Sequence, residues 1–172
     1  MKSLKTIDHI KSILALPFMV LVVVPFVIYR STTELVLVEK IDSYKTLLII
    51  IGVLFLIVGL YLFVQSIILF VKIGKGTLAP WNPTQKLIVK GLYQYVRNPM
   101  ILGVLCILLA ESLLLQSFNI FCWFAFFFIT SNFYFMLSEE PGLVKRFGKE
   151  YEGYKKNVPR WIPRGKPSQS KS

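Results

Sequence analysis

Apolar residues in this chain come in unbroken runs separated by short polar stretches. Four runs stand out: Ile13 to Tyr29, Thr46 to Val71, Met100 to Gln116 and Phe118 to Leu137. The first carries Pro17 and Pro25, and the second holds no charge at all. At about 1.5 Å per residue the second run is long enough to cross a hydrocarbon core of about 30 Å with room for tilt. The third and fourth are separated by Ser117 alone, so they must fold back on each other as an antiparallel helical hairpin. Beyond Leu137 the pattern changes. Leu143, Phe147, Tyr151, Tyr154 and Val158 recur at helical spacing, an amphipathic stripe with Lys145, Arg146, Lys149, Lys155 and Lys156 on much of the other face. Gly148 is placed to interrupt that helix, and Pro159 and Pro163 to end it.

The predicted fold is an all-α integral membrane protein: four transmembrane helices (about 13–29, 46–71, 100–116 and 118–137) with a C-terminal amphipathic helical segment. It forms a single domain over 1–172, with a loop at 72–99 and a tail at 138–172 whose last residues, Gly165 to Ser172, read as disordered. The tail either lies on the membrane surface or packs as a lid over a pocket. Lys2, Lys5 and Lys11 ahead of the first run have the look of a signal peptide, but no small-residue cleavage site follows, so a retained helix is expected.

Charge assigns the sides. The segment from Lys72 to Arg97 holds Lys72, Lys75, Lys86, Lys90 and Arg97 without an acid, and the tail is equally basic. The loop after the first run balances Arg30, Lys40 and Lys45 against Glu34, Glu39 and Asp42. The positive-inside rule then makes both termini, loop 72–99 and the tail cytosolic. The net charge of +11 would raise the question of nucleic acid in a soluble protein. Here the chain is 55% hydrophobic and its basic residues flank apolar runs, so anionic lipid headgroups are the expected partner and no nucleic acid is. Cys106 and Cys122 lie within apolar runs and His9 is the single histidine, which argues against a metal site or a histidine-based triad.

Three features carry candidate chemistry: the segment Gly76 to Met100, the Glu139-Glu140 pair and Arg97 itself. Gly76 to Met100 is rich in glycine, proline and aromatics, and ends Arg97-Asn98-Pro99. Pro99 suits the first turn of a helix and Asn98 its cap; the Arg97 fork suits a carboxylate, its bland alternative being a reach to the headgroups. Glu139-Glu140 falls directly after the fourth run, where two adjacent carboxylates need cations or donors unless they are simply solvated. Glu111, inside the third run, is expected to serve helix pairing or the far interface.

The order and spacing of KGLYQYVRNPMILG (90–103) and SEEPGLVKRFGKEYEGYKKNVPRWIP (138–163), with an apolar hairpin between them, resemble the isoprenylcysteine carboxyl methyltransferases and their bacterial relatives. Phospholipid N-methyltransferases belong to the same superfamily. The resemblance covers about Gly59 to Pro163. It implies a pocket for S-adenosyl-L-methionine lined by Tyr93, Arg97, Asn98, Pro99, Gly103, Glu139, Glu140, Phe147, Tyr151 and Tyr154. Arg97 and Glu139 would be the catalytic residues. Gly59-Leu60-Tyr61 falls near a Gly-x-Gly element of the phospholipid enzymes, with Tyr61 in place of the second glycine. Asn98 stands where the prenylcysteine enzymes have histidine, and Ile101 where tyrosine is common, while FGKEYEGYKKNVPRWIP sits closer to the prenylcysteine side.

The expected function is therefore methyl transfer from S-adenosylmethionine to a lipophilic acceptor, the carboxylate of a prenylcysteine-like molecule being slightly preferred over a phospholipid amine. Glu139 and Glu140 would hold hydroxyl or amino donors of the cofactor, Tyr151 and Tyr154 would add cation–π contact, and Arg97 would bind a carboxylate. The acceptor would enter sideways from the bilayer through a gap between the second and third spans. An NADPH-dependent membrane reductase and a non-enzymatic protein that binds anionic lipid are the competing readings. Oligomeric state is not encoded in any pattern of the chain.

Overall fold

The computed structural model describes residues 16–31, 42–69, 72 and 87–167. The basic N-terminal lead, residues 32–41, 70–71 and 73–86, and residues 168–172 of the tail end expected to be disordered lie outside the described residues. Among the described residues all regular structure is helical. Helix α1 covers Leu16–Ser31, α2 Asp42–Leu69, α3 Pro99–Leu114 and α4 Phe118–Tyr134. A short 3₁₀ turn, Gly91–Gln94, precedes α3. The tail forms α5, Glu140–Phe147, and α6, Lys149–Asn157.

Among the described residues two helices are long and apolar enough to cross a membrane: Tyr44–Leu69, and the continuous run Phe118–Phe147 through α4 and α5. Helices α1 and α3 are apolar but shorter. The center of the molecule is α3, which buries Gly103, Val104, Leu105, Ile107, Leu108 and Ala110 against its neighbors. Around it, α2 and α4 turn apolar side chains outward, among them Leu54, Ile57, Tyr61, Phe126 and Phe133. Such a continuous apolar exterior suits lipid tails and not water.

Helices α2 and α3 run antiparallel and meet backbone to backbone. A Cβ added at Gly59 would lie 2.9 Å from the Gly103 carbonyl oxygen, and one added at Gly103 would lie 2.8 Å from the Phe63 amide nitrogen. Lower on the same seam a Cβ at Gly52 would meet Leu114 at 2.9 Å. Small residues that let helices approach this closely are the usual basis of pairing in a bilayer, where no hydrophobic drive separates helix from lipid. The expected gap between the second and third spans is thus closed along Gly52 to Phe63.

Two prolines bend the helices in the same way. At Met19–Val23 and again at Phe135–Glu139 the helix widens to a π-turn, in which the Val24 amide donates to the Met19 carbonyl and the Glu140 amide to the Phe135 carbonyl. Each π-turn is followed by one residue and then a proline, Pro25 or Pro141. A proline ring clashes with the carbonyl four residues back and has no N–H to offer it, so widening the preceding turn relieves the clash. In α1 this leaves the Val20 carbonyl without a helical donor, since Val24 is engaged and residue 25 is proline. The Trp123 indole fills the vacancy at 3.2 Å and ties α1 to α4. At the second site the helix does not end at Leu137 with the apolar run but continues through Pro141 to Phe147.

The helix breaks at Gly148, whose φ of +53° favors glycine. The amphipathic stripe is realised on both sides of that break: Tyr151, Tyr154 and Val158 are buried, with Leu143, Val144 and Phe147 packed against them together with Leu87 and Val89 from the segment before α3. The tail therefore packs against the 87–97 segment, which matches the lid of the two sequence-based alternatives.

The glycine seam makes a sharp prediction. Gly103→Ala places a methyl against backbone atoms that cannot yield, and is expected to destabilise the detergent-solubilised protein by about 1–3 kcal/mol. Gly142→Ala, whose Cβ meets nothing within 4 Å, should be neutral or stabilising by up to about 1 kcal/mol. Thermal unfolding of the two variants side by side checks this; an unchanged melting temperature for Gly103→Ala contradicts the seam.

Candidate functional site

The side chains picked out by sequence converge at the end of the bundle where α3 begins and α4 turns into α5. Arg97, two residues ahead of Pro99, donates from Nη1 to Glu140 Oε1 at 2.8 Å. Arg160 reaches the same oxygen through Nε at 2.7 Å, and Lys155 holds Oε2 at 2.7 Å. The Glu140 carboxylate is 5% exposed, with Arg97 at 11% and Arg160 at 18%. A carboxylate this buried persists only because cations and donors surround it. Three cations on one anion leave the cluster with a positive excess.

Backbone bonds reinforce this arrangement. The Arg97 amide donates to the Pro159 carbonyl at 2.9 Å, and the Arg164 amide to the Tyr95 carbonyl at 3.0 Å. The Tyr154 hydroxyl donates to the Tyr93 carbonyl at 2.7 Å. Burial pushes the Tyr93 and Tyr154 hydroxyls above the usual phenol range, so both remain protonated and Tyr154 remains a donor. The tail is thus pinned along the whole segment that leads into α3.

Beside the cluster lies a cavity of about 140 Å³. Its wall includes Tyr93, Arg97, Asn98, Glu139, Tyr151 and Tyr154, all expected site residues, along with apolar Met100, Ile101 and Phe135 from the ends of α3 and α4. Neighboring glutamates point different ways, because successive helical residues are rotated by about 100°. Glu140 faces the cations, whereas Glu139 faces the cavity and interacts with the Tyr134 hydroxyl. Asn98 precedes α3 as its cap residue, yet its side chain makes no capping hydrogen bond and lies at the cavity wall. The buried Nε of Arg97 has no hydrogen-bond partner among the described residues, and the Tyr151 hydroxyl approaches the same guanidinium.

Four expected residues sit elsewhere. Gly103 belongs to the α2–α3 seam with Gly59, where its missing side chain serves helix approach. Pro99 is buried at the first turn of α3. Phe147 packs in the tail core, and Glu140 is enclosed by its ion pairs. Glu111 lies on α3 more than two turns beyond Met100, away from this end. Among the described residues no cluster of His, Cys, Asp or Glu could hold a metal ion.

Sequence reasoning missed Asn132, Lys155, Arg160 and Trp161 as parts of the site. The Asn132 carbonyl oxygen accepts from Arg160 Nη1 at 2.7 Å and from the Trp161 indole at 3.1 Å. A signal was present: an amide in an apolar run needs a partner, and Arg160-Trp161 directly follows Pro159.

Glu140→Gln is expected to lower stability by about 3–5 kcal/mol, because Arg97 and Arg160 lose their shared counterion in a buried place. Glu139→Gln, with one face on the cavity, should cost less than about 1 kcal/mol. Thermal unfolding in detergent separates the two; equal losses would contradict the division of labor between the glutamates.

Comparison with known proteins adds a single finding. No curated protein matches the chain. The pattern of the phospholipid methyltransferase family matches residues 47–150, more than half of the chain, running from the start of α2 through Arg97, Asn98, Glu139 and Glu140 into α6. With its exposed apolar helices, this makes the protein an integral membrane protein. The chain belongs to the phospholipid methyltransferase family, whose members are membrane methyltransferases acting on lipid-type substrates.

Proposed function

We propose that the protein transfers a methyl group from S-adenosylmethionine to a lipid acceptor held at the mouth of this cavity. The observation that carries the reading is the pairing of opposite charges on one wall: a buried Arg97 Nε with no partner among the described residues, and the Glu139 carboxylate, both beside tyrosine rings. A zwitterionic, positively charged methyl donor has the complementary groups. Its carboxylate would take the Arg97 donor, its amino or hydroxyl groups the Glu139 oxygens, and its positive charge the faces of Tyr93 and Tyr151. When bound, S-adenosylmethionine would supply a sulfonium-bound methyl carbon, to which the acceptor's lone pair bonds in line as the carbon–sulfur bond breaks and the neutral thioether leaves.

The residues of the chain supply placement and electrostatics, which dominate catalysis where little covalent chemistry is asked of the protein. Arg97 is held at its backbone by Pro159 and at its guanidinium by Glu140, so its Nε donor is fixed in direction. Glu139 offers a carboxylate to a cation, and for an ammonium acceptor it is the nearest group able to take the proton. Family membership favors a phospholipid amine as acceptor. A prenylcysteine-like carboxylate is the second reading, favored by the positive excess around Glu140. Either acceptor would reach the cavity past Met100, Ile101 and Phe135, between the ends of α3 and α4, since the α2–α3 seam is shut.

In this reading α1 to α4 all span the bilayer, the site end and both termini face the cytosol by the positive-inside rule, and the exposed Lys145, Lys149 and Lys156 lie near anionic headgroups.

Purified protein in detergent is expected to bind S-adenosylmethionine and not NADPH, and to transfer labelled methyl groups into extracted membrane lipid. Glu139→Gln and Arg97→Lys should each weaken donor binding about tenfold or more. Wild-type protein that neither binds the donor nor labels any lipid would end the proposal.

A further inference from the structure

We propose that Asn132 is a positioning residue for the site: through Arg160 and Trp161 it holds the 158–164 segment against α4 and so fixes Arg97 at the cavity wall. The inference rests on the methyl-transfer reading for its assay and on hydrogen bonds, ion pairs and ring packing for its geometry.

The linkage runs through contacts between groups distant in sequence. Asn132 sits two residues before the end of α4, and its side-chain oxygen accepts from both Arg160 Nη1 and Trp161 Nε1. An amide oxygen has two lone pairs, and both are engaged. The Trp161 ring packs on Phe128 at 5.5 Å and on Phe135 at 5.9 Å between centroids, one on each side of Asn132 along the helix. Phe135 also lines the cavity. Arg160, oriented by Asn132, turns Nε and Nη2 onto Glu140 Oε1, the oxygen that Arg97 shares. The adjacent Pro159 carbonyl receives the Arg97 amide. Asn132 therefore bears on Arg97 by two routes, one through its counterion and one through its backbone, without touching the cavity. A planar guanidinium bridging two acceptors has little freedom to compensate when one is removed.

The test uses the full-length chain in detergent, with titration of S-adenosylmethionine and steady-state methyl transfer. Asn132→Leu keeps the size and removes the acceptor; the apparent KM for the donor and its dissociation constant should both rise about tenfold, with kcat changed far less. Asn132→Asp keeps an oxygen for both donors and should restore wild-type affinity to within about twofold. Trp161→Phe retains the ring packing and loses one N–H, with an expected rise of about threefold. Leu and Asp variants that are equally impaired, or a Leu variant indistinguishable from wild type, overturn the proposal. If Asn132→Leu fails to fold, Trp161→Phe decides, and unchanged donor affinity there overturns it. Wild-type protein without donor binding would fail the methyl-transfer reading itself, whereas wild-type binding with unaffected variants removes only the role of Asn132.

Discussion

A carboxylate buried beside a membrane is unstable on its own, and Glu140 is tolerated because Arg97, Lys155 and Arg160 are brought to it from separate parts of the chain. Arg97 comes from the turn before α3 and the other two from the far end of the tail, so one anion fastens three segments that local sequence does not connect. The backbone bonds from Arg97 to Pro159 and from Arg164 to Tyr95 follow the same line. Without the anion, the guanidinium groups of Arg97 and Arg160 would face each other in a poorly hydrated place. The tail could not then cover the opening of the bundle, and the cavity wall would lose Tyr151 and Tyr154.

Two adjacent glutamates do different work because successive helical residues are rotated by about 100°, so that Glu140 faces the ion cluster and Glu139 the cavity. The helix widens to a π-turn just ahead of Pro141, ending at Glu139. Structure and chemistry are thus divided between neighboring side chains: one carboxylate is saturated with cations, the other has a face available for a ligand. The same widening at Pro25 gives a purely structural result, the Trp123 bond to Val20. The device is general; what it exposes decides its use.

Much of this was legible in the chain. Hydropathy located the helical segments, although α2 starts at Asp42 and not at Thr46, because a few polar residues extend a helix at small cost. That Arg97, the glutamate doublet and the aromatic tail would meet at one pocket was expected. The direct ion pair of Arg97 with Glu140 was not, since the Arg97 fork was assigned to a carboxylate of the cofactor or the substrate. The fourth run ends at Leu137, where the apolar residues stop, whereas the helix continues to Phe147. Gly103 was assigned to the pocket on family pattern, but its reason for being glycine is the Gly59 backbone. Asn132 escaped notice because its partners lie 28 and 29 residues away, and only the fold brings them near.

The glycine seam has a consequence for how the protein sits in membranes of different thickness. Helices α2 and α3 touch through main-chain atoms at Gly59 and Gly103, with Ile107 packed beside them, so sliding or tilting one helix alone would open this contact. Hydrophobic mismatch must therefore tilt them as one rigid plate. The adjustment left over falls to α1 and to the continuous α4–α5 run, where Pro25 and Pro141 follow π-turns that already loosen the winding.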